Sequence, residues 1–244
     1  MSWLLPLTIF LPLLAAMPGG RWVLPLAAPL TLWPAFRERV RSRDYLSAWT
    51  LGMAWAALLS AGVILLVRWW PDAARAGILH GEDYRREMFG WVATGAAPEN
   101  DPRAFIPQHL LHLTVFLLLT WVSGGYLGLV LGALLVAYMS NFVGSYAVAS
   151  GHPFAGALLA WVPWSVVRVC AFVLLGALFS RPLPARSVWP FERWEVRLIL
   201  LALAGIVIDL LVKSLFAPSY GLFLRQLAAG AVGLIGINGS GGST

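Results

Sequence analysis

The sequence predicts an all-α protein, a polytopic transmembrane helical bundle of about six spans (five to seven) with one short amphipathic interfacial helix. Three observations predict it. The 244-residue chain is 59% hydrophobic and 11% charged, where a soluble domain carries about 25% charged residues. A stretch from Phe105 to Ala149 contains no Asp, Glu, Lys or Arg; a crossing takes roughly 20 residues, so this length makes two. Finally, the arginines behind the net charge of +6 gather in short segments between apolar spans, as cytoplasmic loops of membrane proteins do. That placement argues against nucleic acid as a partner. Membrane lipids, and helix–helix contacts with itself or other membrane subunits, are the partners expected. Of the 17 Lys and Arg residues, all but Lys213 are Arg, a usage typical of GC-rich bacterial genomes; with the helical spans it suggests a bacterial cytoplasmic (inner) membrane.

Residues 2–17 are apolar but carry Pro6 and Pro12, and lack the basic start of a signal peptide, so they read as a retained membrane segment. Residues 22–36 contain Pro25, Pro29 and Pro34. Together the two stretches make either a short helical hairpin or one span followed by irregular backbone covered by protein. Arg37 to Asp44 (RERVRSRD) is the strongest topological marker. Tyr45 to Trp70 is a long span ending in an aromatic anchor and Pro71.

The following loop, 72–105, is acidic. Within it, Tyr84, Met88, Trp91 and Val92 recur at helical spacing opposite Asp83, Arg85, Arg86 and Glu87, which predicts the amphipathic helix. The charge-free stretch turns at Ser123-Gly124-Gly125. Its second half carries Gly128, Gly132, Ala133, Ala137, Ser140 and Gly144, small residues that let helices approach closely in lipid, so it is the expected packing centre.

Pro153 can open the next helix; Phe154 to Ser180 is a span interrupted by Pro163 and carrying Arg168 and the lone cysteine, Cys170, which reads as a core residue. Arg181 to Arg197 is a second basic segment. Leu198 to Phe216 is a span, and Tyr220 to Ile237 is either a further short span or a surface helix. Residues 1–237 form one integral membrane domain; 238–244 (NGSGGST) has the composition of a flexible tail or linker remnant. If the Arg37–Arg43 segment is cytoplasmic, alternation places Arg181–Arg197 there too and the acidic loop outside.

Two constellations have chemical potential. Arg168, Asp209 and Lys213 are ionisable residues inside apolar spans; such residues are costly there and face a bundle interior or a cavity. Asp209 and Lys213 stand at i, i+4 and can pair locally, and Asn141 is the uncharged partner in the small-residue helix. The second set is His109 and His112, one helical turn apart, with His80, Asp83 and Glu87 on the same side. In that pattern they are candidate ligands for Zn, Fe or Mn. No phosphate loop, GxSxG, cysteine pair or nucleotide fingerprint occurs. The balance favours a non-enzymatic membrane component, transporter- or channel-like or an accessory subunit. The alternative is a membrane-embedded metalloenzyme acting on a lipid-soluble or headgroup substrate.

Overall fold

In the computed structural model, residues 2–95, 100–181 and 191–232 are described, and every regular element among them is helical. The 96–99 link, residues 182–190 of the second basic segment and the 233–244 tail lie outside the described residues.

The proline-rich start forms the hairpin. A 3-10 helix, Ser2–Ala16, turns at Gly19 into α1, Gly20–Arg41. Prolines at 6 and 12 cannot donate to a regular α ladder, and the 3-10 form has a rise of about 2.0 Å per residue. Its backbone lies against glycines: a Cβ on Gly62 would stand 2.2 Å from the Ile9 carbonyl oxygen, and one on Gly77 2.0 Å from that of Ala15. Side chains serve the proline-loosened α1: Ala28 O accepts from Thr31 Oγ1 at 2.9 Å and Trp55 Nε1 at 3.0 Å. The Thr8 and Thr31 hydroxyls, 2.7 Å apart, join the two arms.

Helix α2 (Tyr45–Trp69) leads through the short α3 (Pro71–Gly77) to α4 (Gly81–Thr94). The amphipathic α4 is present, but protein covers its apolar face. Met88, Trp91 and Val92 are buried with Phe142, Tyr146 and Leu224, so this face does not lie in headgroups. Helices α5 (Pro102–Ser123) and α6 (Tyr126–Ala149) meet at Gly124 and Gly125, both at positive φ (62° and 104°), which residues with a side chain rarely adopt. α6 is the packing centre, touching α1, α2, α4, α5 and α7; Ala133, Ala137 and Ser140 are buried, and a Cβ on Gly144 would meet Val67 at 3.0 Å.

α7 (Pro153–Ala160) and α8 (Pro163–Phe179) are one apolar run bent by 61°. Pro163 cannot donate to the Leu159 carbonyl, and the Tyr220 hydroxyl does so instead at 2.8 Å. The C-terminal stretch departs from the sequence expectation. Instead of two segments there is one helix, α9 (Arg193–Val232), of 40 residues, continuous through Pro218. A proline removes one ladder bond, but the half beyond it is held by tertiary contacts: Tyr146 Oη donates to Leu224 O at 2.6 Å, and Arg225 Nε to Val92 O at 2.8 Å.

By length and apolarity, α2, α5, α6 and α9 qualify as candidate membrane spans, and the bent α7–α8 pair makes a fifth if it crosses as one span. Six is therefore not reached on that criterion. α1 does not qualify, and the first helix is short. The two basic segments meet at one end of the bundle, where Arg43 pairs with Glu192 and the buried Arg181 pairs with Glu195 while its Nε donates to Tyr45 Oη at 2.8 Å.

Candidate functional site

The charged residues of the apolar helices sit where α8 and α9 pack. Arg168 projects from the first turns of α8, just past the Pro163 break; its Nη2 donates to Ser165 Oγ at 2.8 Å and its Nε stands 3.9 Å from Asp209 Oδ2. Asp209 is fully buried, and Lys213, one turn further along α9, is 1% exposed. The Lys213 ammonium lies 4.3 Å from the ring centre of Phe105, at the start of α5. A cation over an aromatic face is stabilised by the ring quadrupole, the more so away from water.

Phe105 in turn meets His109 edge-on, with centroids 5.7 Å apart. His109 is 8% exposed, and its Nδ1 lies 2.7 Å from the Phe105 carbonyl oxygen. A carbonyl only accepts, so Nδ1 carries the proton and Nε2 of the neutral ring is an acceptor. Nε2 is buried with no hydrogen-bond partner, an arrangement that costs about 1–3 kcal/mol unless something satisfies it.

Of these residues, Arg168 and His109 line one end of a cavity of about 110 Å³ between α2, α5, α6 and α8. α5 contributes His109, His112, Phe116 and Thr120, one helical face over eleven positions, roughly 16 Å at ~1.5 Å per residue. α8 contributes Arg168, Phe172, Gly176 and Ser180, and α6 contributes Gly128, Gly132, Val136 and Met139. The result is a narrow slot, apolar along most of its length. Gln108, His109, His112 and Arg168 cluster at one end, below Tyr84 of α4, which packs on Tyr138 at 4.7 Å between centroids. Arg168 is the one charged residue among the described residues that line it.

Several residues singled out in the sequence are elsewhere. Asn141 is buried on the α4 side, its Nδ2 donating to Gly81 O at 2.9 Å, and it anchors the start of α4. Gly132 lies on the small-residue face but has nothing within 4 Å of an added Cβ; it widens the slot and packs against no helix. The metal candidates are not assembled. His80 is exposed in the left-handed residue before α4, and Asp83 and Glu87 are on that helix's exposed face. His109 and His112 lie in the slot wall on α5, and among the described residues no three His, Cys, Asp or Glu side chains group as a metal would require. Helical period alone placed the carboxylates on one stripe, but that stripe is the one opposite α4's packed face.

The slot itself was not read from the sequence. Its signal was the polar–aromatic spacing 109, 112, 116, 120 on an otherwise apolar helix. Comparison of the chain with protein-family models, curated proteins and solved structures finds no match.

Proposed function

We propose that this chain is a non-enzymatic integral membrane protein that holds a lipid-soluble ligand in the slot between α5, α6 and α8, as a transporter-like protein or as the ligand-binding subunit of a membrane complex. The observation carrying this reading is the slot itself: apolar walls, roughly 16 Å long, with the ionisable His109, His112 and Arg168 at one end. Ionisable residues within a membrane are costly to bury and characteristically mark ligand or ion pathways. The separation of the histidines from the acidic face of α4 gives the metalloenzyme alternative no support.

We count about six crossings: α1 joins α2, α5, α6, α7–α8 and α9, with the 3-10 helix lying against α1 and α2. The end bearing Arg37–Arg43 and Arg181–Arg197 faces the cytoplasm of a bacterial inner membrane. Exposed Leu200, Leu201, Val207, Leu211 and Leu215 on α9 meet lipid or a neighbouring membrane subunit.

Native mass spectrometry of the detergent-purified protein tests the reading. Wild type should retain a small non-covalent adduct, and Gly132→Phe, which fills the slot from a position free of packing, should lose it. Equal adducts on both proteins would overturn it.

A further inference from the structure

We infer that the slot's ligand is a long-chain carboxylic acid, a single-chain free fatty acid with its carboxyl at Arg168 and His109. This rests on the slot being a ligand site and adds the ligand's chemistry. Three features select it. The first is charge: Arg168, the one charged residue among the described residues lining the slot, is a donor-only cation that favours an oxygen acceptor and opposes an amine. The guanidinium keeps Nη1 for the ligand, since Nη2 serves Ser165 and Nε faces Asp209.

The second feature is hydrogen bonding. His109 is buried with Nε2 an acceptor lacking a donor. A carboxyl group supplies both complements: one oxygen accepts from Arg168, and the proton on the other is shared with His109 Nε2. Neither an ester nor a thioether offers that proton.

The third is shape. The polar end lies seven positions into α5, about 10 Å past its first residue, and is roofed by Tyr84 on Tyr138. That depth suits a compact carboxyl better than a phosphodiester headgroup, which would stay at the bilayer surface. The slot's length of roughly 16 Å is about half the ~30 Å hydrocarbon core, the reach of one chain in one leaflet. Its cavity of about 110 Å³ holds part of one chain and has no room for a second.

The experiment is equilibrium binding of radiolabelled palmitate to purified protein in detergent, competed by hexadecanol, methyl palmitate and hexadecyl phosphate. A charge-assisted hydrogen bond contributes about 1.5–3 kcal/mol, so palmitate should bind about 10- to 150-fold more tightly than hexadecanol or the ester. It should also outcompete hexadecyl phosphate. Gly132→Phe should abolish binding of all four. The charge-balanced double variant Arg168→Gln/Asp209→Asn, checked for folding by thermal melting, should bind palmitate no better than hexadecanol.

Equal wild-type affinities for palmitate and hexadecanol, both lost in Gly132→Phe, would overturn the acid while leaving the slot standing. Preference for hexadecyl phosphate would overturn the carboxylate in favour of a phosphate headgroup. Absence of binding by any of the four, or binding unchanged in Gly132→Phe, would overturn the slot reading and the acid together.

Discussion

Arg168 on α8 and Asp209 on α9 form an ion pair across two packed helices, Nε to Oδ2 at 3.9 Å, with the carboxylate fully buried. Asp209 also has Lys213 one turn away on its own helix, which is the partner that sequence spacing suggests. Charge-balance mutagenesis separates the two. Removing one member of a buried pair typically costs about 3–5 kcal/mol, because the other is left charged and unpaired. Asp209→Asn alone should therefore destabilise strongly. Adding Arg168→Gln should recover more stability than adding Lys213→Met, since Lys213 keeps its seat on Phe105. Denaturant unfolding in micelles measures all three; greater recovery with Lys213→Met would make the local pair dominant.

Gly128 and Gly132 are one helical turn apart on α6 and should respond oppositely to a side chain. A Cβ on Gly128 would stand 2.0 Å from Thr120 Oγ1, whereas one on Gly132 meets nothing within 4 Å. Gly128→Leu should separate α5 from α6 and lower the melting temperature and yield. Gly132→Leu should leave both near wild type. The comparison is one of thermal melts at matched detergent, and equal losses would mean that Gly132 is packed.

The contrast between those glycines shows where sequence reading stops. Composition and charge-free length predict the long apolar helices, and Pro153, Pro163 and the Ser123–Gly125 turn mark helix ends through missing donors and positive φ. Such signals are local to the backbone. What a helix face meets is not local: the same small-residue stripe packs at Ala133 and opens a cavity at Gly132. For the same reason Asn141 could be flagged as a polar residue in an apolar helix, but the charged set was expected as its partner and a carbonyl of α4 is the hydrogen-bond partner found. Asn141 pairs with a backbone carbonyl sixty positions away, which no spacing rule encodes. The break expected between Phe216 and Tyr220 erred in the other direction, since tertiary contacts hold α9 together through Pro218.

Outside the spans, Glu82 at the start of α4 should make stability depend on pH. Arg85 donates to its carboxylate at 2.6 and 2.7 Å and Arg86 at 3.0 Å, and these bonds hold the carboxyl down at about 2, against 4.5 ordinarily. A depressed acid contributes stability that is full above its unfolded value and is lost as pH falls from about 4.5 toward 2. The cluster is partly solvated, with Glu82 23% exposed and Arg86 69%, so the effect should be small, about 1 kcal/mol or less. Melting temperatures of wild type and Glu82→Gln should converge as pH drops through that window. A gap that persists to pH 2 would show that Glu82 acts through packing and not charge.

The meeting of the basic segments at one end makes the proposed orientation testable. Arg43 pairs with Glu192, and Arg181 reaches both Glu195 and Tyr45, so the segments after α1 and before α9 are held at the same end of the bundle. Ser42 is exposed at that end, and Asp83 is exposed on α4, beyond the single span α2 and the short α3. If the arginine-rich end is cytoplasmic, a cysteine at Ser42 should be shielded from an impermeant maleimide in intact cells and label only after lysis. One at Asp83 should label in intact cells. Both substitutions belong in a Cys170→Ala background, since Cys170 is the chain's only native thiol. The reverse pattern would invert the protein in the membrane without altering its fold. Labelling of both positions from the same side would remove α2 as a crossing, and with it the bundle's alternation.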